Sequence, residues 1–212
     1  MAYDLEEQEQ IAALKSWWNT YGNYVVIAVA SAAILFSGYY GWRYYRHSQA
    51  AGAVTLYAQL DEAERAGDPK RVRDIASQIT ARFESTSYAS FAALSAARAS
   101  FESGDAQGAK AQLQWAIDHA KEAEVRDVAR LRLAGVLLDQ KDAAGALKLV
   151  EAKPVESLAG LYADLRGDIL VALGRPEEAR GAYQFALDRG EAGSPYRAMV
   201  QLKLDALGGT KR

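Results

Sequence analysis

Catalysis and metal binding need groups that titrate, attack or coordinate, and this 212-residue chain is poor in them. His47 and His119 are its only imidazoles and it has no cysteine, so a thiolate metal site, a disulfide or a Cys–His nucleophile pair cannot be assembled. His47 borders an apolar stretch and His119 follows Asp118 on a polar helix face, so both read as solvated rings rather than as general bases. No glycine-rich phosphate loop, HExxH or paired-cysteine motif occurs. Gly208-Gly209-Thr210-Lys211 has the look of a phosphate loop but lacks the following helix that such a loop needs. The expectation is therefore a protein that is not an enzyme, with no cofactor and no metal ion.

The charge balance narrows the partners. Lysine and arginine total 25 against 27 aspartates and glutamates, and positions 1–47 hold 3 of the former and 4 of the latter. The remainder carries 22 against 23, close to neutral. A nucleic-acid partner would require a basic face, so none is expected.

The most informative stretch has no charge at all: positions 16–42 are 27 consecutive residues without Asp, Glu, Lys or Arg. Its apolar centre runs from Val25 to Phe36, and with Tyr24 and the Ser37-Gly38-Tyr39-Tyr40 shoulder it reaches 17 residues. That is roughly 25 Å of helix at ~1.5 Å per residue, at the short end of what spans a bilayer. Trp17, Trp18, Tyr21 and Tyr24 flank one side, and Tyr39, Tyr40, Trp42, Tyr44 and Tyr45 the other, as amphipathic rings do at headgroup depth. No wet face interrupts Val25–Ala30, which argues against a soluble core helix. The leader holds Asp4, Glu6, Glu7 and Glu9 against the single Lys15, the reverse of a cleavable signal, so the helix is expected to be retained as a signal anchor in the lipid bilayer. The expected organisation is an acidic segment at 1–20, the anchor helix at 21–46 and one further domain at 47–212.

That domain is punctuated at regular intervals. Gly67-Asp68, Gly104-Asp105, Lys141-Asp142 and Gly174-Arg175 each close one apolar-periodic segment and open another, with spacings of 37, 37 and 33. Periods of this size mark stacked helix pairs, and 34 is the tetratricopeptide value. In that repeat the second helix carries a small residue five places after the turn, a bulky one four further on and a small one three after that. Ala109, Leu113 and Ala116 satisfy this, as do Ala146 and Val150, and Ala179, Tyr183 and Ala186. Val72, Ala76 and Ile79 form a degenerate first unit, as terminal repeats often do. Gly167 is expected to face Ala179 and Ala186 where the last pair crosses. Pro69 and Pro176 open second helices, where a missing N–H costs nothing, and Pro195 opens a final helix to Leu207 that is expected to cap the array through Tyr196, Met199, Leu202 and Leu204. The fold class is all-α: one N-terminal transmembrane helix, then a tetratricopeptide-like α-solenoid of about four helix pairs plus a C-terminal capping helix.

Several segments together carry a family resemblance: Glu-Gln-Ile-Ala-Ala-Leu-Lys at 9–15, Gly-Trp-Arg-Tyr-Tyr at 41–45 and Leu-Arg-Leu-Ala at 131–134. Ala-Asp-Leu-Arg-Gly-Asp at 163–168, Glu-Ala-Arg at 178–180 and Gln-Leu-Lys-Leu-Asp-Ala-Leu at 201–207 complete it. Through them the chain resembles the YfgM-type ancillary subunits of the SecYEG translocon over nearly its whole length. The resemblance implies a single-pass protein of the bacterial inner membrane, N-terminus cytoplasmic and repeat domain periplasmic. It also implies SecYEG, exported polypeptides and a membrane-anchored periplasmic chaperone of peptidyl-prolyl isomerase type as partners. A count of basic residues disagrees with the implied topology: Arg43 and Arg46 on the C-terminal flank against Lys15 before the helix would put the C-terminus in the cytoplasm, with a margin of about zero once the terminal amine is included.

Stacked repeats present a concave surface lined by their first helices, and such surfaces bind peptide segments. By register the groove draws on Val54, Tyr57, Phe91, Leu94, Arg98 and Phe101 from the first half, and on Leu131, Leu138, Asp164 and Asp168 from the second. The apolar members have an alternative reading as inter-helix core. A second functional class, an assembly factor for cell division or peptidoglycan synthesis, uses the same helix grammar. In the anchor, Ala33, Ser37 and Gly41 fall four apart on one face, where small residues let another transmembrane helix approach.

Overall fold

The computed structural model describes the backbone of residues 2–190 and 193–208. Gly209, Thr210 and Lys211 of the phosphate-loop-like segment, and the side chains of Asp4, Glu6 and Glu7, lie outside the described residues. Within them there are nine α-helices, one 3₁₀ turn and no strand. The helices are α1 (Ala2–Arg65), α2 (Pro69–Arg82), α3 (Ser87–Glu102), α4 (Ala106–His119), α5 (Ala123–Asp139), α6 (Ala143–Val150), α7 (Ala159–Ala172), α8 (Pro176–Arg189) and α9 (Pro195–Ala206). The chain divides into two compact units, with the boundary after Gln49.

In the first unit α1 contains an apolar stretch long enough to cross a membrane, and none of that window is buried against protein. The flanking rings are exposed and associate along the helix, as Trp17 does with Tyr21 at 5.9 Å and Phe36 with Tyr40 at 4.3 Å between centroids. The helix does not end at position 46, where the sequence pattern places the end of the anchor. No proline or left-handed residue interrupts it, and it runs unbroken to Arg65.

In the second unit each pair closes through the same turn. Gly67, Gly104, Lys141 and Gly174 all take a left-handed conformation, with φ of 66°, 80°, 67° and 71°. The following residue donates its N–H back five positions, Asp68 to Ala63, Asp105 to Ser100, Asp142 to Leu137 and Arg175 to Leu170, each within 3.0 Å. This is the Schellman closure of the first helix. The same residue then caps the second helix: Asp68, Asp105 and Asp142 accept from the backbone N–H three residues on, at 3.0, 2.8 and 2.8 Å. One dipeptide thus ends a helix and starts the next, and a cap of this kind contributes about 1 kcal/mol. Arg175 has no capping oxygen and pairs instead with Glu178.

The turns deliver the expected registers. Ala109, Leu113 and Ala116, Ala146 and Val150, and Ala179, Tyr183 and Ala186 are all buried, as are Val72, Ala76 and Ile79 of the degenerate unit. Three details differ from the sequence pattern. The second helix of the third pair, α6, has only eight residues, and Lys153-Pro154 divert the chain into the 3₁₀ turn Glu156–Leu158. Buried Asp127 holds this detour by accepting from the Val155 N–H at 2.8 Å, while its carbonyl accepts from the Tyr162 hydroxyl at 2.8 Å. Gly167 faces the Tyr183 ring rather than Ala179 and Ala186, and a Cβ there would run into that ring. On α9, Val200 and Leu204 are the buried pair with Tyr196 half-buried, whereas Met199 and Leu202 are 51% and 70% exposed, because the helix turns its 200/204 stripe inward.

Two substitutions test this packing. Gly167→Leu forces Tyr183 out of place, an overpacking that costs ~1–3 kcal/mol and lowers the melting temperature by several degrees. Glu177→Gln, which loses only an exposed pairing with Arg180, leaves melting unchanged. Lys141→Gly relieves the one non-glycine residue in the left-handed region among the described residues and should raise stability by roughly 0.5–1 kcal/mol in thermal denaturation.

Candidate protein-binding groove

The first helices of successive pairs, α3 and α5, leave a cleft of about 460 Å³ between them. Ala97, Arg98 and Phe101 of α3 form one wall, Arg132, Gly135, Val136 and Asp139 of α5 the other, and Leu113 of α4 the floor. The hollow exists because Ala97 and Gly135 are small where neighbouring turns carry larger groups. A Cβ added at Gly135 would meet nothing within 4 Å. A smaller cleft, about 270 Å³, lies between the end of α1 and α3, lined by Glu64, Ser95, Arg98 and Glu102 among others. Arg98 borders both.

The charges in this groove are unequally satisfied. Arg98 Nε donates to Glu102 Oε1 at 2.7 Å, a surface pair one helical turn apart. Arg132 makes no hydrogen bond or ion pair among the described residues. Although much of its side chain reaches solvent, its charged end is held below the usual arginine range, first by loss of surrounding water and then by the positive charge of Arg98.

The sequence-predicted residues divide into four groups. Val54, Phe91, Arg98 and Phe101 are exposed, Phe91 at 39% and Phe101 at 43%. Tyr57 is half-buried against Tyr88 at 5.4 Å, and burial, then the charges of Glu64 and Asp61, pushes its hydroxyl pKa up. Leu94, Leu131 and Leu138 pack into the core, Leu94 beside Leu113 and Leu133, the other two beside Ala134 and Ala146. The structure does not bring Asp164 and Asp168 to Arg98. Both accept from Lys203 Nζ of α9, at 2.8 and 2.7 Å, and Asp168 also accepts from the Tyr183 hydroxyl at 2.8 Å. Burial pushes the Asp164 carboxyl up against the pull of Lys203. Lys203 itself is held above its usual range by the two carboxylates although burial opposes them. Arg132, Gly135 and Asp139 were not anticipated; a glycine inside a helix, one turn from an arginine, is the signal that marks the hollow.

Neither histidine lies in the groove. His119 stacks on Trp115 at 4.5 Å and reaches Glu84 at 3.4 Å, and His47 is exposed. Among the described residues no three His, Asp or Glu side chains gather as a metal site would require. On α1, Ala33, Ser37 and Gly41 are exposed, and a Cβ at Gly41 would meet nothing.

An array of helix pairs closed by repeated turns, with a cleft between first helices, is what the family described as a tetratricopeptide repeat-like domain would present, and that family matches residues 15–209. The chain belongs to it. An "Ancillary SecYEG translocon subunit" of Aggregatibacter actinomycetemcomitans is 32% identical over 98% of this chain and 100% of its own length. A protein of the same name from Escherichia coli strain K12 is 29% identical, covering 95% of this chain and 96% of its own. The YfgM-type resemblance carried by the segments quoted above is thereby shown. Among solved structures, a MamA protein superposes with a TM-score of 0.53 at 17% identity over 65% of this chain and 72% of its own, a likeness of fold.

For this tetratricopeptide repeat-like domain the exposed rings give the sharpest test. Truncating Phe91 and Phe101 together to alanine should cost much less than the ~3–5 kcal/mol of a buried ring, so the variant stays folded by circular dichroism. Its crosslinking to unfolded polypeptide should fall several-fold. Unfolding of the double variant would assign both rings to the core.

Proposed function

We propose that this chain is a non-catalytic accessory of the SecYEG translocon, held in the inner membrane by the helix at 21–46, with residues 1–20 in the cytoplasm and 47–212 in the periplasm. Its groove holds segments of exported polypeptides, and the domain meets a membrane-anchored chaperone of peptidyl-prolyl isomerase type. The observation that carries this reading is the open cleft between α3 and α5, mainly apolar with Arg98, Arg132 and Asp139 at its edges, on a scaffold shared at full length with relatives that bear the translocon-subunit name. A site for passing chains must accept many sequences. Phe101, Ala97 and Val136 supply sequence-tolerant apolar contact, and Arg98 and Arg132 supply donors that suit any carbonyl or carboxylate.

The small-residue face of the anchor belongs to the same reading, as the surface through which α1 meets a transmembrane partner. A photocrosslinker placed at Phe101 in the full-length protein in native membranes should capture translocating chains and bring down SecYEG subunits. Ser37→Leu with Gly41→Leu should reduce recovery of the membrane partner several-fold while membrane insertion is retained. Recovery of division or murein-synthesis enzymes in place of SecYEG would move the protein to envelope assembly.

A further inference from the structure

The α3–α5 cleft has a polarity that the general groove reading does not require. Arg98 and Arg132 stand at one end. Asp139 stands two turns further along α5, about 10 Å from Arg132 at ~1.5 Å per residue. Between them the surface is apolar: Phe101 on one wall, Val136 and the bare backbone of Gly135 on the other, Leu113 below. Arg98 already has Glu102 as a partner, whereas Arg132 has none among the described residues.

Arg132 is exposed at the cleft wall beside the like charge of Arg98, so the pair makes one end of the cleft locally positive. Each guanidinium carries several N–H groups in a planar fork that matches a carboxylate. We propose that this cleft is a carboxylate-selective subsite. Arg132, with Arg98 beside it, takes an acidic side chain of an extended peptide, and an apolar or aromatic side chain of the same segment enters the space over Gly135 against Phe101. The proposal rests on the reading of this groove as a polypeptide-binding surface and adds the class of sequence it selects.

The acid is an internal residue and not a chain end. Arg98 lines both this cleft and the one between α1 and α3, so a segment lying across the first helices continues past the arginines instead of terminating at them. Asp139 repels a second acid at the far end, which fixes the direction in which the segment lies. Glu64 and Glu102 on the α1–α3 side oppose long acidic runs in the same way. The preferred segment therefore carries a single carboxylate close to an aromatic or large aliphatic residue.

Gly135 allows a test that keeps folding separate from binding. Leucine there projects into open space and removes a helix-interior glycine, so Gly135→Leu fills the cleft while melting stays level or rises. The probes are two fluorescent peptides blocked at both ends, Ser-Gly-Phe-Ala-Glu-Ser-Gly and the same sequence with glutamine for glutamate. Binding to full-length protein in lipid nanodiscs is read by fluorescence anisotropy. The glutamate peptide should bind about threefold to fivefold more tightly, as expected for an exposed ion pair. Arg132→Gln should erase that preference, and Gly135→Leu should abolish binding of both peptides. Equal binding of the two peptides to the unmodified protein, a preference that survives Arg132→Gln, or binding that survives Gly135→Leu would each overturn the assignment. Crosslinking of a reduced, carboxymethylated polypeptide runs in parallel. Its capture without any glutamate preference removes this subsite and leaves the groove reading standing, and absence of capture removes both.

Discussion

Helix pairs in the repeat domain approach so closely at their crossings that only a methyl group or a hydrogen fits, and this distance governs everything built on them. Ala76, Ala109, Ala116, Ala146, Ala179 and Ala186 are essentially fully buried at these points, and the Gly167–Tyr183 contact is the extreme case, with a ring laid directly on a backbone. Close crossings leave no slack for a variable connection. The turn must return the chain at one fixed offset, and the left-handed residue followed by a capping aspartate does that each time. Where the left-handed position is lysine or the cap is arginine, the geometry persists because the crossing imposes it. Local preference and packing agree at most turns, and packing prevails where they differ.

The same constraint creates the groove. A first helix must serve two main partners, the second helix of its own pair and the second helix of the pair before it, as α3 does with α4 and α2. Its remaining face is left to solvent. On α3 that division is visible within two turns: Leu94 and Ala97 are buried, Arg98 and Phe101 are not. At the end of the array there is no next pair, and α9 takes its place with Val200 and Leu204. The Asp164–Lys203–Asp168 cluster fixes its register. A buried carboxylate whose proton affinity is raised by burial is a poor source of stability but a strict positional marker, because any shift of α9 would leave the charge unpaired.

This explains which parts of the sequence could be read. The period of the turns, the proline starts and the small–large–small registers of second helices were legible because each rests on local chemistry: a positive φ, an absent N–H, an Asp oxygen. The phase of the first helices was not. Leu94, Leu131 and Leu138 and the exposed Phe91 and Phe101 share one composition and one periodicity, and only the neighbour on either side decides which of them is covered. Asp164 and Asp168 show the same limit for charge. Their partner lies 35 or more residues away, at Lys203, and no spacing rule connects them. The shortening of α6 is signalled by Pro154, but the buried Asp127 that holds the resulting loop is indistinguishable in sequence from any surface aspartate on a helix.

A groove formed this way is necessarily shallow, and shallowness has a functional consequence. Clefts of a few hundred cubic ångströms with exposed rings and surface arginines bury little of a ligand, and exposed charge pairs contribute only ~0–1 kcal/mol each. Such a site holds any one segment weakly and releases it quickly. In dilute solution it would be mostly empty. On the proposed reading, confinement to the membrane where the ligand emerges changes that balance, since tethering raises effective concentrations to about the millimolar range without adding a contact. On the proposed reading, the anchor and the groove are thus complementary: the anchor supplies occupancy that the groove cannot, and the weakness of the groove lets a captured chain move on. On the same reading, tighter recognition would make the protein an inhibitor of the traffic it is proposed to serve, and apolar walls that stop at Phe101 and Val136 without closing over the cleft are consistent with weak, transient contact.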